Sequence, residues 1–549
     1  MTIDLIWKKT LLILLLAIML RRSLQFVPPV HADTNRINTS NMVLVKVQPG
    51  ISEKELAILA KQMNGQILRR IVPLSTVLIQ LPKNWASTRS GMDALSIARQ
   101  NANVISVEFD GIVRGIPTEI AQVDFFNSTI PSLPVMVNDV DYNNPQRQVY
   151  APGLIQVQYA WNYTMGSNQI KIAILDTGVL LTHPEFAGRL LPGYDFVNND
   201  TDPTDDFGHG THVTGIAAAG ANNGIGMVGI CPECSIIPVK VLDQSNSGTW
   251  SSVAAGMVFA VDAGANIISL SLGGGSNSQI VQDAVQYAME HNVLVIAAAG
   301  NNKSDAPFYP AALDDVVAVA ATRNDDTSWS LSNYGPFIDV AAPGYAIYST
   351  FNNLSNTYGG YSYKSGTSMA APHVAGLAGL LLSQNPALTV SQIRSIVQET
   401  AVDLGTPGRD DTFGYGRIDA FAALQAGALF LPPTAVTRGY FWNDDNLNGI
   451  WQEDEQTTTA TVSIQVQDSM ETIVAQTTPN SFGQWRIGKL YPGSYQIVAV
   501  VSGNTIMTSA STYGIQLKSG QEISELNFGI RESDSSMSSY QVFLPIVQP

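Results

Sequence analysis

The chain has 549 residues, too many for one hydrophobic core, and its length predicts three or four folding units. With 45% hydrophobic and 13% charged residues, it has the make-up of a packed globular protein and argues against a mostly disordered one. A net charge of −16 repels phosphate backbones, so no nucleic acid partner is expected, and it suits cation binding.

Residues 1–32 read as an export signal: Lys8 and Lys9 precede an apolar run from Leu11 to Leu20, and Val30-His31-Ala32 offers a cleavage point. That run is too short to cross a hydrocarbon core of ~30 Å, so no spanning membrane segment is expected after signal removal. The expected location is outside the cell, with retention at its surface left open. Residues 33–115 read as a small α/β unit. It comprises strands at 42–47 and 77–81, a helix from Ser52 to Met63 opened by a Ser52/Glu55 capping box, a helix near 92–101, and strand again over 104–113. Residues 116–148 turn polar, with Pro117, Pro131, Pro134 and Pro145, and predict a linker containing a processing site.

From 149 to 427, apolar β-branched runs at 170–175, 235–242, 267–272, 293–298 and 316–321 alternate with helical stretches at 209–219, 250–263 and 280–291. Runs apolar on both faces predict a doubly wound α/β domain with a buried parallel sheet and an active site beyond its carboxyl ends. Within it, Cys231-Pro232-Glu233-Cys234 lacks further ligands for zinc. A redox pair fits the spacing alone, and an exported chain favours a structural disulfide. After a short linker at 428–435, residues 436–531 alternate as strands separated by turn residues and predict a β-sandwich. In the tail, 532–549, the apolar Val542 to Val547 fits either a docking strand or an envelope tether.

Three segments of the α/β domain set a reactive polar residue beside glycine-rich backbone. Ile174-Leu175-Asp176-Thr177-Gly178 ends a buried run on a carboxylate, Gly208-His209-Gly210 opens a helix, and Gly366-Thr367-Ser368 opens another. A serine hydroxyl is a poor nucleophile until an imidazole takes its proton. The imidazole in turn needs an acidic partner that fixes its tautomer and stabilises the imidazolium. Asp176, His209 and Ser368 are therefore expected to form a catalytic triad working through an acyl-enzyme on Ser368.

The motifs DTGV, GHGTHVTG and GTSMAAPHVAG, in that order, resemble those of the subtilisin-like serine peptidases (the S8 family), over about residues 150–427. The resemblance implies a serine endopeptidase made as a proenzyme, with polypeptide substrates and no organic cofactor. It marks His212 and His373 as structural and Asn301 as the oxyanion-hole side chain, beside the backbone N–H of Ser368. It assigns one substrate-binding edge to Ser271, Leu272 and Gly273, and the wall of the first specificity pocket to Ala298, Ala299 and Gly300. An apolar or aromatic side chain before the cut is expected. Tyr309-Pro310 matches a family position that often carries a cis peptide, although sequence alone makes the bond trans by default.

Calcium is expected as a structural ion. Ala221, Asn223, Ile225 and Met227 resemble the family's strong calcium loop, with Glu185 where a bidentate Asp is usual. Asp195, Asn198, Asp200 and Asp202 resemble the second calcium loop of thermitase-like members, and an acidic solvated loop is the alternative. Asp444, Asn446, Asn448, Ile450 and Glu455 fit the ligand positions of an EF-hand loop with Gly449 at the sixth, but no helices flank them. That stretch, with Asn527-Phe528-Gly529, instead resembles an SdrD B-like or Cna-B-like sandwich. The unit at 33–115 resembles an I9-like inhibitory propeptide, which makes it an intramolecular partner; a monomer is expected. The rival reading is a catalytically silent protease fold used as a surface adhesion module.

Overall fold

The computed structural model describes residues 41–82, 89–116, 135–430 and, with short gaps, 435–532. The export signal, residues 117–134 of the linker and the apolar tail lie outside the described residues.

The N-terminal unit runs β1 (Met42–Val47), α1 (Glu53–Gln62), β2 (Gln66–Ile71), β3 (Thr76–Gln80), α2 (Arg89–Gln100), β4 (Val104–Phe109) and β5 (Ile112–Gly115). Ser52 opens α1 with the expected capping box to Glu55. The sheet order is β2-β3-β1-β4, antiparallel throughout, over a core that includes Val43, Val45, Leu56, Leu59, Val77 and Ala98. Strand β2 was not expected, because its Arg69-Arg70 pair masks a half-buried edge. The expected strand over 104–113 divides at Asp110-Gly111: β4 stays in its own sheet, and β5 leaves it for the next domain.

In that domain β6 (Lys171–Asp176), β7 (Tyr194–Asp195), β8 (Ser235–Lys240), β10 (Ile267–Leu270), β12 (Leu294–Ala298), β13 (Val316–Thr322) and β14 (Val340–Pro343) form a parallel sheet ordered β14-β13-β12-β10-β6-β8-β7. Two short strands, β9 (Ser247–Thr249) and β11 (Leu272–Gly273), stand apart from it, and β15 (Ile347–Thr350) pairs with β16 (Tyr361–Lys364) as a hairpin. Helices α3 (His209–Ala218), α4 (Trp250–Asp262), α5 (Gln279–Glu290) and α6 (Thr367–Gln384) cover the faces. The Ala-, Gly- and Leu-rich α6 is small enough in cross-section to lie buried against β10, β12 and β13.

Residues 135–148, expected as linker, pack onto this domain. Val137 and Tyr142 join its core, and the fully buried Asp139 carboxylate accepts N–H groups of Asn222 and Asn223. Cys231 and Cys234 are joined by a buried disulfide with S–S 2.08 Å. Beyond it, β17 (Ala435–Asn443), β18 (Val462–Gln467), β19 (Ile473–Thr477), β20 (Gln484–Leu490), β21 (Gly493–Val501), β22 (Thr505–Met507), β23 (Thr512–Leu517), β24 (Glu522–Ile523) and β25 (Phe528–Glu532) form two facing sheets. Phe441, Ile464, Trp485, Ile497 and Phe528 fill the space between them. Among the described residues no helix is long and apolar enough to cross a membrane.

Candidate active site

Strand β6 delivers Asp176 at its carboxyl end, and α3 begins on His209. The His209 Nδ1 lies 2.7 Å from Asp176 Oδ1, with both side chains fully buried. A carboxylate can only accept here, so this network assigns the ring proton to Nδ1 and leaves Nε2 as a base. Nε2 is buried and has no hydrogen-bond partner. The approach to His209 is fixed by Asp205, whose carboxylate accepts from the N–H groups of Phe207, Gly208 and Thr211 and from the hydroxyls of Thr177 and Thr211. On the other side, the buried Lys240 ammonium donates to Thr177 O, Leu242 O and Asp206. Neither Asp205 nor Lys240 was singled out in the sequence, where each has only a turn or a strand end to mark it.

Ser368 occupies the first turn of α6, at 0% exposure. Pro372, four residues on, has no N–H, so the Ser368 carbonyl loses its helical donor. Ser271 Oγ takes that place at 2.8 Å, tying the loop before β11 to the backbone of Ser368. Asn301 Oδ1 accepts from Thr367 N (3.0 Å) and Thr367 Oγ1 (2.8 Å), which turns the amide nitrogen away from Thr367. The loop carrying Asn301 is held by Asn333, which donates to Ala299 O and accepts from Asn302 N and Ser304 N. Ala298 and Ala299 are buried, and Gly300 adopts φ +103°, where an added Cβ would meet the Asn333 amide. The Tyr309-Pro310 bond is cis, against the trans default. His212 and His373 are buried and bond to backbone carbonyls, and burial pushes His373 down to about 4.

The cleft is filled by the chain itself. Strand β5 lies between β11 and β9, antiparallel to both. Gly115 N donates to Asn246 O and Ile116 N to Ser271 O. The Ile116 carbonyl oxygen then sits 3.5 Å from Ser368 Oγ, which is also 3.5 Å from Ser271 O. Two carboxylates flank this strand at helix starts. Glu108 accepts from Ser278 Oγ, Gln279 N and Ile280 N at α5, and Asp110 from Ser251 N and Oγ at α4. Each satisfies donors that a helix leaves unpaired.

The expected cation sites differ in form. Glu185 is buried and accepts from Asn223 Nδ2 (2.7 Å), Tyr361 Oη (2.8 Å) and Met227 N (3.1 Å). Burial, offset in part by these bonds and increased by the nearby Asp139 charge, pushes its carboxyl up to about 7. Asp195 accepts from Val197 N, Asn198 N and Asn198 Nδ2, and Asp200 and Asp202 cap their own turns, so these carboxylates serve the loop backbone. In the sandwich, buried Asp444 accepts from Asn448 N and Gly449 N, and Glu455 from Gln452 N. Asn446 and Asn448 bond to backbone two residues on. Among the described residues no three His, Cys, Asp or Glu side chains converge as a metal cage.

Comparison with known proteins gives the same architecture. Residues 167–416 match the Subtilase family and residues 438–531 the SdrD B-like domain. Thermitase of Thermoactinomyces vulgaris is 46% identical over 288 residues, 52% of this chain and 99% of that protein. Minor extracellular protease Epr of Bacillus subtilis is 42% identical over 285 residues, 52% of this chain and 43% of that protein. The crystal structure of fervidolysin from Fervidobacterium pennivorans, a keratinolytic enzyme related to subtilisin, shares the fold with TM-score 0.63 at 24% identity, covering 89% of this chain and 78% of its own. A buried Asp–His pair, a serine at a helix start and near-complete coverage of thermitase lead to one conclusion: this chain belongs to the subtilase family and is a serine endopeptidase.

Proposed function

We propose that the protein is an extracellular endopeptidase made as a latent proenzyme, with Ser368 as nucleophile, His209 as base and acid, Asp176 as the group that orients the imidazole, and Asn301 as oxyanion donor. The observation that carries this reading is the strand ending at Ile116, which puts a peptide carbonyl oxygen 3.5 Å from Ser368 Oγ by main-chain pairing with β11. Pairing of this kind accepts many sequences, because the hydrogen bonds come from backbone.

In a substrate taking that path, Ser368 Oγ attacks the carbonyl carbon and its proton passes to His209 Nε2. The other ring nitrogen stays bonded to Asp176. The oxygen that gains charge is stabilised by Asn301 and the Ser368 N–H. Collapse breaks the C–N bond, and the leaving amine takes the proton from Nε2. Water then repeats the sequence on the ester and releases the acid.

The N-terminal unit acts as an inhibitory propeptide: its strand covers Ser368, and Glu108 and Asp110 fasten it to α5 and α4. Its boundary falls one residue beyond the 115 expected, at Ile116, with the cut in the segment before Val135. Residues 149–427 are the catalytic domain and 436–531 a sandwich appended to it. Export is supported by the apolar N-terminal run and by a relative named as extracellular. Structural calcium belongs at Glu185 with Asn223 and the carbonyls of the 221–227 loop, at Asp444 with Glu455, and at the Asp195 loop, because each buries a carboxylate that forms no ion pair.

The test is labelling with a serine-directed organophosphonate. Active protein should label at Ser368 and hydrolyse casein, and Ser368→Ala should do neither, with turnover down by about 10⁶, the loss known for a subtilisin. A wild-type protein freed of its N-terminal unit that neither labels nor cleaves would overturn the reading.

A further inference from the structure

Gly115 is the residue immediately before Ile116, the residue whose carbonyl faces Ser368. Its backbone does not call for glycine: it is absent from the glycines with positive φ. Space does. A Cβ built on Gly115 would lie 1.9 Å from Asn246 Oδ1, 2.4 Å from Cγ and 2.6 Å from Nδ2. All three are atoms of the Asn246 side-chain amide, so a side chain at this position requires that amide to rotate away.

Asn246 sits at the turn before β9 with φ +56°, a left-handed conformation that Asn and Gly tolerate. Its carbonyl accepts the Gly115 N–H at 3.0 Å, so its backbone is one rail of the cleft. Its side chain is folded back over the strand, at 8% exposure, and Oδ1 is buried with no hydrogen-bond partner. Oδ1 makes no bond to the strand, and the amide fills the volume a substrate side chain would take. The neighbouring positions differ. Val113 is fully buried among Leu242, Trp250 and Leu272, Arg114 points to solvent, and Ile116 is buried.

We propose that Asn246 is a specificity-determining residue that restricts the position preceding the cleaved residue to glycine. The substrates favoured are extended, glycine-bearing polypeptides with an apolar residue at the cut, a glycine before it, and an apolar residue two further back. This rests on the endopeptidase reading above, with the docked strand standing in for substrate.

The experiment uses active enzyme recovered from expression of the full chain, its sites titrated with a serine-directed organophosphonate. Matched p-nitroanilides ending Val-Arg-Gly-Ile and Val-Arg-Ala-Ile are compared by kcat/KM. One methylene in a tight pocket is worth ~10–200-fold, so the wild type should favour glycine by at least about tenfold. N246G keeps the left-handed turn and removes the amide, and its ratio should fall to within about threefold of unity. N246S serves in its place if N246G fails to titrate, with an intermediate ratio expected. Equal cleavage of both peptides by the wild type, or an unchanged ratio in the variant, overturns the proposal. A wild type that does not titrate at all would instead indict the endopeptidase reading.

Discussion

Replacing Glu185 by Gln should change stability in opposite directions with and without calcium. The carboxyl is buried at 1% exposure and pushed from 4.5 to about 7, chiefly by burial. Without a cation the folded protein therefore holds a proton that the unfolded chain releases between pH 4.5 and about 7. Stability contributed at this site is complete below 4.5 and falls as pH rises through that window. The full loss corresponds to about 3 kcal/mol. Gln carries no charge and escapes it. Its amide must meet Asn223, whose own amide has to flip and weaken its bond to Ile225 N, so a net gain of about 1–3 kcal/mol is expected at pH 8.

The comparison belongs in the Ser368→Ala background, which prevents self-digestion during heating. In EDTA at pH 8, E185Q should melt roughly 2–10 °C above its parent, and at pH 4 that advantage should vanish, leaving it level with or below its parent by the Asn223 cost. In millimolar calcium the order should invert, because only the carboxylate gains from a cation bound to the folded state. A variant that is less stable than its parent in EDTA at pH 8 would refute the burial argument. An order that does not invert would refute the calcium site.

Two further outcomes follow from the site geometry. Asn301→Leu should lower kcat by ~10²–10³, the cost of one oxyanion donor in a subtilisin, and leave KM nearly unchanged, since the bond forms only as charge develops; a loss confined to KM would remove Asn301 from that role. Glu108→Ala with Asp110→Ala deletes both caps, at ~0.5–2 kcal/mol each. Residues 41–116, added to active enzyme, should then inhibit roughly 5- to 1000-fold less tightly, measured as the apparent inhibition constant on a small peptide substrate. An unchanged constant would mean the strand alone holds the unit.

The parts of this molecule that were legible in the sequence are those whose cause is local. Apolar β-branched runs forecast the parallel sheet, because a strand covered on both faces needs apolar residues at every position. The Asp176–His209 pair was legible because each member sits in its own glycine-marked segment. The features that were missed depend on partners far along the chain. Asp139 looked like linker until its carboxylate met Asn222 and Asn223, more than eighty residues away. Asp205 was missed for another reason: four of its five bonds are within six residues, and nothing in that turn marks it apart from its acidic neighbours although it holds the entrance to α3. Asp195, Asp200 and Asp202 are dense in charge, which reads as a cation site, and each carboxylate also accepts from nearby backbone N–H groups, as Asp444 does. Asp195, Asp444 and Glu185 are each buried in a low dielectric and form no ion pair through the carboxylate, and that burial is what argues for a cation at each. Pro372 shows how a motif can be recognised with its physical reason hidden: its missing N–H frees the Ser368 carbonyl for Ser271, so the proline leaves the backbone of Ser368 tied to the loop before β11.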